Sequence, residues 1–217
     1  VKRRLAALFL AVLGAPALAE PPDAALVGAL GVQIEKPAGD NVHFSQGSGV
    51  YLGGGLVLTA AHVVTINPQD PKVSIVLDGW RTEAKLMATA PAGVDLALLK
   101  VEPGEVSAQR RALKPVQACG LGTAPNQPVV VAALGTVTLS KTVGAPIKSP
   151  TLNGDWSDIL ASGYGHGASG GGVFDAAKGC LAGIIIIEAT APGIELTQFV
   201  PASEIALFLA TYYHSGP

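Results

Sequence analysis

Apolar positions along the chain fall in short runs divided by glycine, proline and polar turns, the spacing of a protein made from many short strands. Ala24–Ile34 is apolar and glycine-broken and reads as a first strand. Val42–Leu52 alternates and reads as a second, with Gly47-Ser48-Gly49 at its middle. Gly53-Gly54-Gly55 turns the chain into Leu56-Val57-Leu58, a buried strand, so the two form a hairpin. Asn67–Lys72 is a polar loop, and Val73–Leu77 and Arg81–Ala88 are strands joined by Asp78-Gly79-Trp80. Leu96-Ala97-Leu98-Leu99 is fully apolar, as a strand buried on both faces would be. Glu102–Val116 has little periodicity and reads as a connection between two halves, with Arg110-Arg111 a solvated pair. Pro128–Leu134, Thr136–Val143, Gly172–Phe174, Leu181–Ile187 and Thr197–Pro201 read as further strands, with a turn at Asp175–Gly179, and Ser157–Ala161 leads into the glycine-rich stretch that begins at Gly163. Ala202–Tyr213 is expected to be an amphipathic helix with Ser203 as its cap. The whole predicts an all-β fold of barrels with one terminal helix rather than a parallel α/β sheet.

The N-terminus is read separately. Lys2, Arg3 and Arg4 form a positive segment, Leu5–Leu13 an apolar one, and Ala17-Leu18-Ala19 a small-x-small cleavage signal. That is the layout of a secretory signal peptide over residues 1–19. Leu5–Leu18 is short for a membrane span and is broken by Gly14 and Pro16, so no stable membrane anchor is expected after cleavage. An exported product, periplasmic or secreted from a bacterium, follows. Of 14 Lys and Arg and 16 Asp and Glu, loss of the three basic residues leaves 11 against 16, a net charge of −5. With no basic block, nucleic acid is not an expected partner. Apolar content of 49% against 14% charged allows a large core and excludes a disordered chain. Cys119 and Cys180 are an even pair in an exported chain and suggest one disulfide, two buried thiols being the alternative. Neither lies in a zinc-binding spacing, so no metal and no cofactor are expected.

The densest chemistry lies in Gly163–Gly172, where Ser169 stands among six glycines. Such a loop turns tightly and can aim backbone N–H groups at one point, which suits the oxyanion of acyl transfer. A serine hydroxyl needs a base, and the base an orienting group. Gly167-Ala168-Ser169-Gly170-Gly171 also fits the nucleophile elbow of α/β-hydrolases, whose acid and histidine follow the serine. Downstream of Ser169 the only histidine is His214, in the tail, so the partners are sought upstream. His62 stands where a buried strand ends, among small residues that leave its ring accessible. Asp95 stands at the mouth of an apolar strand, where a carboxylate needs a donor; the Nδ1–H of His62 is one candidate, and a local turn role is the other.

Thr59-Ala60-Ala61-His62, Asp95-Leu96-Ala97-Leu98-Leu99 and Gly167-Ala168-Ser169-Gly170-Gly171 together resemble the chymotrypsin-fold, trypsin-like serine peptidases, closest to the bacterial HtrA (Deg) type. Gly47-Ser48-Gly49-Val50, Leu181-Ala182-Gly183-Ile184 and Phe199-Val200-Pro201 extend the similarity across nearly the whole mature chain. The resemblance implies two packed Greek-key β-barrels, residues 20–113 and 114–217, the second with the terminal helix. It implies His62, Asp95 and Ser169 as a catalytic triad in the cleft between them, and the N–H groups of Gly167 and Ser169 as the oxyanion hole. Ala168 replaces the aspartate that precedes the nucleophile in trypsin-like zymogens, so that activation route is not expected. The PDZ module usual in the HtrA group is likewise not expected here.

By the same resemblance, Gly163 and Tyr164 form the base of the primary specificity pocket, and Ile186, Ile187 and Glu188 its wall. Gly163 stands where trypsin-like enzymes carry an aspartate, and the isoleucines imply an aliphatic side chain before the cut; Glu188 at the rim would instead attract a basic one. His166, next to the oxyanion loop, is read as an exposed loop residue, with a substrate contact of the kind a glutamate-cleaving relative could use as the alternative. The expected function is a serine endopeptidase acting on proteins or peptides, with oligomeric state open. A catalytically silent peptide-binding relative and an esterase-type hydrolase are the alternatives.

Overall fold

Asp78 and Gly79 both adopt positive φ, 52° and 83°, which is the backbone of a two-residue hairpin turn. That turn joins β4 (Val73–Leu77) to β5 (Trp80–Thr89), and the same logic of tight turns builds the rest of the first half. The computed structural model describes residues 24–37, 44–65, 72–120, 122–143, 158–160, 163–191 and 194–214. The expected leader at 1–19 and most of the expected loop at Asn67–Lys72 lie outside them. With β1 (Gly31–Pro37), β2 (Phe44–Gly53), β3 (Leu56–Thr59) and β6 (Ala97–Lys100), these strands form a closed barrel in the order β1-β2-β3-β6-β5-β4. The return of β4 to β1 leaves no free strand edge. Gly53, Gly54 and Gly55, all at positive φ, make the expected turn between β2 and β3.

The second half is a six-stranded antiparallel sheet in the order β8-β7-β10-β11-β12-β9. Its strands are β7 (Pro128–Ala133), β8 (Thr136–Lys141), β9 (Asp158–Leu160), β10 (Gly172–Asp175), β11 (Leu181–Ala191) and β12 (Ile194–Pro201). The pleat of β7 sorts its side chains between two cores. Val129, Val131 and Ala133 pack with Ala168, Val173, Ala182 and Phe199. Val130 and Ala132 join the larger core, which also holds the interior of the first barrel. The halves are thus fused through buried apolar surface. A disulfide joins Cys119 and Cys180, whose separation of 61 residues fastens the inter-half connection to the start of β11. The all-β class with a terminal helix, α4 (Ala202–His214), is as the sequence implied.

Several local expectations change. Ala24–Ile34 is not one strand: Ala24–Leu30 forms α1, and β1 starts only at Gly31. Val27 and Leu30, three apart, are its buried residues, and an apolar run alone does not tell helix from strand. His62 lies not at a strand end but in a single helical turn, α2 (Ala61–Thr65). Helix α4 begins at Ala202, directly after β12, so Ser203 is inside its first turn rather than capping it. The connection after Glu102 contains a 3-10 turn, Pro103–Glu105, and α3 (Ala108–Arg111), capped by the Ser107 side chain, which accepts from the N–H of Arg110.

Arg110 is the largest correction. It is not solvated but 6% exposed. Its Nε and Nη2 donate to Asp78 Oδ1 at 3.2 and 2.9 Å, and its Nη1 to the carbonyl of Gly31 at 3.3 Å. The guanidinium lies over the ring of buried Tyr51, 5.8 Å from its centre. Arg111 instead bonds the carbonyls of Pro103 and Val106. Burial alone raises the Asp78 carboxyl; hydrogen bonds from Arg110 and Ser107, with the Arg110 charge, outweigh it and hold the group below the usual carboxylate range. A depressed pKa in the folded state adds stability above the unfolded value of about 3.9, and that stability is lost as the pH falls through the folded one. Arg110→Met is expected to cost about 2 kcal/mol at pH 7. This is less than for a fully buried pair, because Asp78 is 37% exposed. In urea titrations the gap to the parent protein should narrow below about pH 4; a gap that stays constant to pH 2 would contradict the pairing.

Candidate active site

Three stretches of chain converge on one cleft, and each is fixed by a different local device. Helical turn α2 is anchored by Val63 and Val64, which are buried, so that the intervening geometry turns His62 outward. The N–H of Val63 bonds the carbonyl of Ala60, and the Thr65 hydroxyl donates to the carbonyl of Ala61. Asp95 is held by the turn ahead of β6: Val94 N–H bonds the Pro91 carbonyl, Ala90 N–H the Leu96 carbonyl, and Leu96 itself is fully buried. The carboxylate then meets His62 twice. Oδ1 accepts from the backbone N–H of His62 at 2.9 Å, and Oδ2 lies 2.5 Å from Nδ1. In the tautomer that carries its proton on Nδ1, the ring donates to this carboxylate and leaves Nε2 as an acceptor. The Asp95 side chain is 18% exposed and the His62 side chain 48%, so the acid is shielded and the ring is open.

Ser169 reaches the same cleft from the second half. The cleft, about 340 Å³, is lined by Ser45, Gln46, His62, Val63, His166, Gly167 and Ser169. The loop carrying Ser169 is stitched to β11 by two backbone bonds: Gly170 N–H donates to the Ile185 carbonyl at 2.7 Å, and Ile185 N–H to the Gly171 carbonyl at 2.9 Å. The pairing of β11 with β12 skips Ile186, leaving its carbonyl outside the ladder. The Ser169 hydroxyl donates to that carbonyl at 3.3 Å, and among the described residues it makes no hydrogen bond to His62. Gly167 turns with φ +90°, and a Cβ there would strike the Leu134 side chain at 2.6 Å. Ala168 N–H bonds the Gly165 carbonyl and Gly171 N–H the Ala168 carbonyl, whereas the N–H groups of Gly167 and Ser169 donate to no group among the described residues. Two neighbouring donors with no partner among the described residues can receive an anionic oxygen.

The residues expected to shape specificity are less concentrated. His166 is exposed, as expected, and borders the cleft. Ile186 is 4% exposed and contributes its carbonyl. Tyr164 packs on the second-half core; its hydroxyl lies 2.8 Å from that of Thr138, and its N–H donates to Thr197 Oγ1 at 2.9 Å. Gly163 precedes it, half-buried. Neither Gly163 nor Tyr164 lines the cleft around Ser169. Ile187 and Glu188 follow Ile186 along β11, paired with Gln198 and Thr197; their side chains lie outside the described residues. Sequence reasoning assigned no role to Ser45, Gln46 or Ser48. The signal for the last was present in Gly47-Ser48-Gly49, a strand segment stripped of side chains on either side of one hydroxyl.

Comparison with known proteins agrees with this fold. The description of the trypsin-like peptidase domain matches residues 47–184. No curated protein matches the chain by sequence. Among solved structures it is similar to the Rv3671c protease of M. tuberculosis in its active form, with 23% identity over 90% of this chain and 86% of that one and a TM-score of 0.70. An inactive serine-to-alanine form of the same protein aligns over 94% and 96% of the two chains, with 23% identity and TM-score 0.70. The MamO protease domain of Magnetospirillum magneticum aligns with 24% identity over 84% and 97%, TM-score 0.62. At these identities the likeness is one of fold.

Gly170 is the loop position with least room. It adopts φ +86°, and a Cβ there would lie 1.9 Å from the Ser48 carbonyl oxygen and 2.2 Å from Thr59 Oγ1. Gly170→Ala is expected to destabilise the protein by about 2–4 kcal/mol, since both the backbone angle and the space exclude the methyl group. A shift of the denaturation midpoint worth less than about 1 kcal/mol would show that the loop packs less tightly than described.

Proposed function

Because the chain belongs to the trypsin-like peptidase family, we propose that it is an exported serine endopeptidase that cleaves proteins or peptides through an acyl-enzyme. The observation that carries this reading is the double contact of Asp95 with the backbone and ring of His62, across the cleft from Ser169. In the proposed reaction, Ser169 Oγ swings off the Ile186 carbonyl and attacks the scissile carbonyl carbon. His62 Nε2 takes the hydroxyl proton, and Asp95 stabilises the imidazolium while holding the ring's orientation. The new oxyanion is received by the N–H groups of Gly167 and Ser169. Collapse of the tetrahedral species passes the proton from His62 to the leaving amine. Water, activated by the same histidine, then releases the acyl group from Ser169 and restores the hydroxyl. Cys119–Cys180 and the apolar leader are the features that support export, where a disulfide persists.

The contact between Ser169 Oγ and Ile186 is also the one observation that favours a silent, peptide-binding relative. The two readings separate in a single experiment. A fluorophosphonate probe is expected to label the mature protein on Ser169, with casein turned over in parallel. Ser169→Ala and His62→Ala should each lower kcat by about 10⁴-fold or more. Labelling without casein turnover, or casein turnover that survives Ser169→Ala, would overturn the proposal.

A further inference from the structure

Ser48 takes no part in the chemistry just described, yet it bonds the Ser169 loop and the strand that leads into the His62 turn. It lies in the middle of β2 and is 1% exposed. Its N–H donates to the Ser169 carbonyl at 2.7 Å. Its hydroxyl donates to the Gly167 carbonyl at 2.8 Å and accepts from the N–H of Leu134 at 3.0 Å. Its carbonyl accepts from Thr59 Oγ1 at 2.7 Å, three residues before His62. The direction of the hydroxyl proton follows from the partners. Leu134 N–H can only donate and the Gly167 carbonyl can only accept, so the single proton points at Gly167.

The geometry points to Ser48 as the positioning residue of the oxyanion site; this rests on the peptidase reading above. The carbonyls of Gly167 and Ser169 belong to the peptide units on either side of the one that carries the Ser169 N–H. Ser48 bonds both, one with its hydroxyl and one with its N–H, so the peptide between them is held at each end. The same contact fixes the turn at Gly167, whose own N–H is the second donor. A loop this rich in glycine has many accessible backbone states, and donors that must reorganise during reaction lose most of their effect. Ser48 removes that freedom from the first barrel, across the boundary between the halves.

Two further observations agree. Leu134, whose N–H fixes the hydroxyl, stands at φ +54°, a left-handed conformation that a leucine adopts only when its surroundings hold it there. Gly47 lets β2 approach the loop, since a Cβ there would meet Val63 Cγ1 at 2.4 Å and the Ser169 carbonyl at 3.3 Å, whereas Gly49 opens onto Val32 and Val57 inside the first barrel. Only the central residue of Gly47-Ser48-Gly49 carries a side chain, and that side chain holds Gly167.

The test is Ser48→Ala, with Ser48→Cys as a near-isosteric variant whose thiol is a weaker donor. Each is assayed per active site titrated with a fluorophosphonate. For Ser48→Ala, kcat is expected to fall roughly 10- to 100-fold, less than when an oxyanion donor is itself removed. KM should change less than about threefold. Affinity for a peptidyl boronate, whose adduct fills the oxyanion site, should fall by the same factor as kcat/KM, while affinity for a product peptide stays level. Ser48→Cys should lie between, and it carries the same expectation if the alanine variant does not fold. A titrated kcat within twofold of the parent, or a loss entirely in KM, overturns the assignment even with the parent enzyme active. A parent protein that neither labels nor cleaves fails the peptidase reading instead, and this assignment with it.

Discussion

A strand segment stripped of side chains presses against a loop stripped of side chains, and the site depends on that contact. Gly47 on β2 and Gly167 and Gly170 in the serine loop bring backbone close to backbone, with Ser48 and Thr59 supplying the hydroxyls between. Buried backbone groups must find partners. Here they find them across the boundary between the two halves, so the same bonds that satisfy the interface set the distance from the histidine turn to the serine loop. Apolar burial joins the halves without direction; the hydrogen bonds at Ser48 give the junction its register.

The division of labour within the site follows from this. Elements that carry side chains into the cleft are short and local: one helical turn for His62, one tight turn for Asp95, one glycine loop for Ser169. None would hold its shape alone. Each is fastened to a buried stretch of strand, residues 57–59 of β3 and 97–99 of β6 on one side and residues 181–186 of β11 on the other. The carboxylate that orients the imidazole is itself oriented by the backbone of the same histidine, so the pair is rigid while the ring stays open to the cleft.

Much of this was legible in the order of residues. Regular short apolar runs gave the strands, and three motifs in one order gave the candidate residues that the fold then gathers. What was not legible has specific causes. The apolar run at Ala24–Ile34 hid a helix followed by a strand, because a run that is apolar almost throughout carries neither period, and the burial of Val27 and Leu30 that marks the helix depends on their neighbours. Arg110 looked solvated because its burial depends on Asp78, far away in sequence, and on the ring of Tyr51. The role suggested for Ser48 was out of reach for the same reason: of its four partners only Thr59, on the next strand, is near it in the chain, and Leu134, Gly167 and Ser169 are distant. The specificity residues stayed diffuse because a pocket wall is a surface assembled from several strands, and periodicity reports which face a residue takes, not what it meets there.

The most direct test of the central claim, that the halves meet to form one preorganised acyl-transfer site, is a crystal structure of the protein after reaction with a peptidyl phosphonate. The account predicts a bond from Ser169 Oγ to phosphorus and a phosphonyl oxygen about 2.7–3.1 Å from the nitrogens of both Gly167 and Ser169. His62 Nε2 should lie within hydrogen-bonding reach of the serine oxygen, and the Ser48 hydroxyl should still be on the Gly167 carbonyl. An adduct on another residue, or a phosphonyl oxygen turned away from both nitrogens, would contradict it.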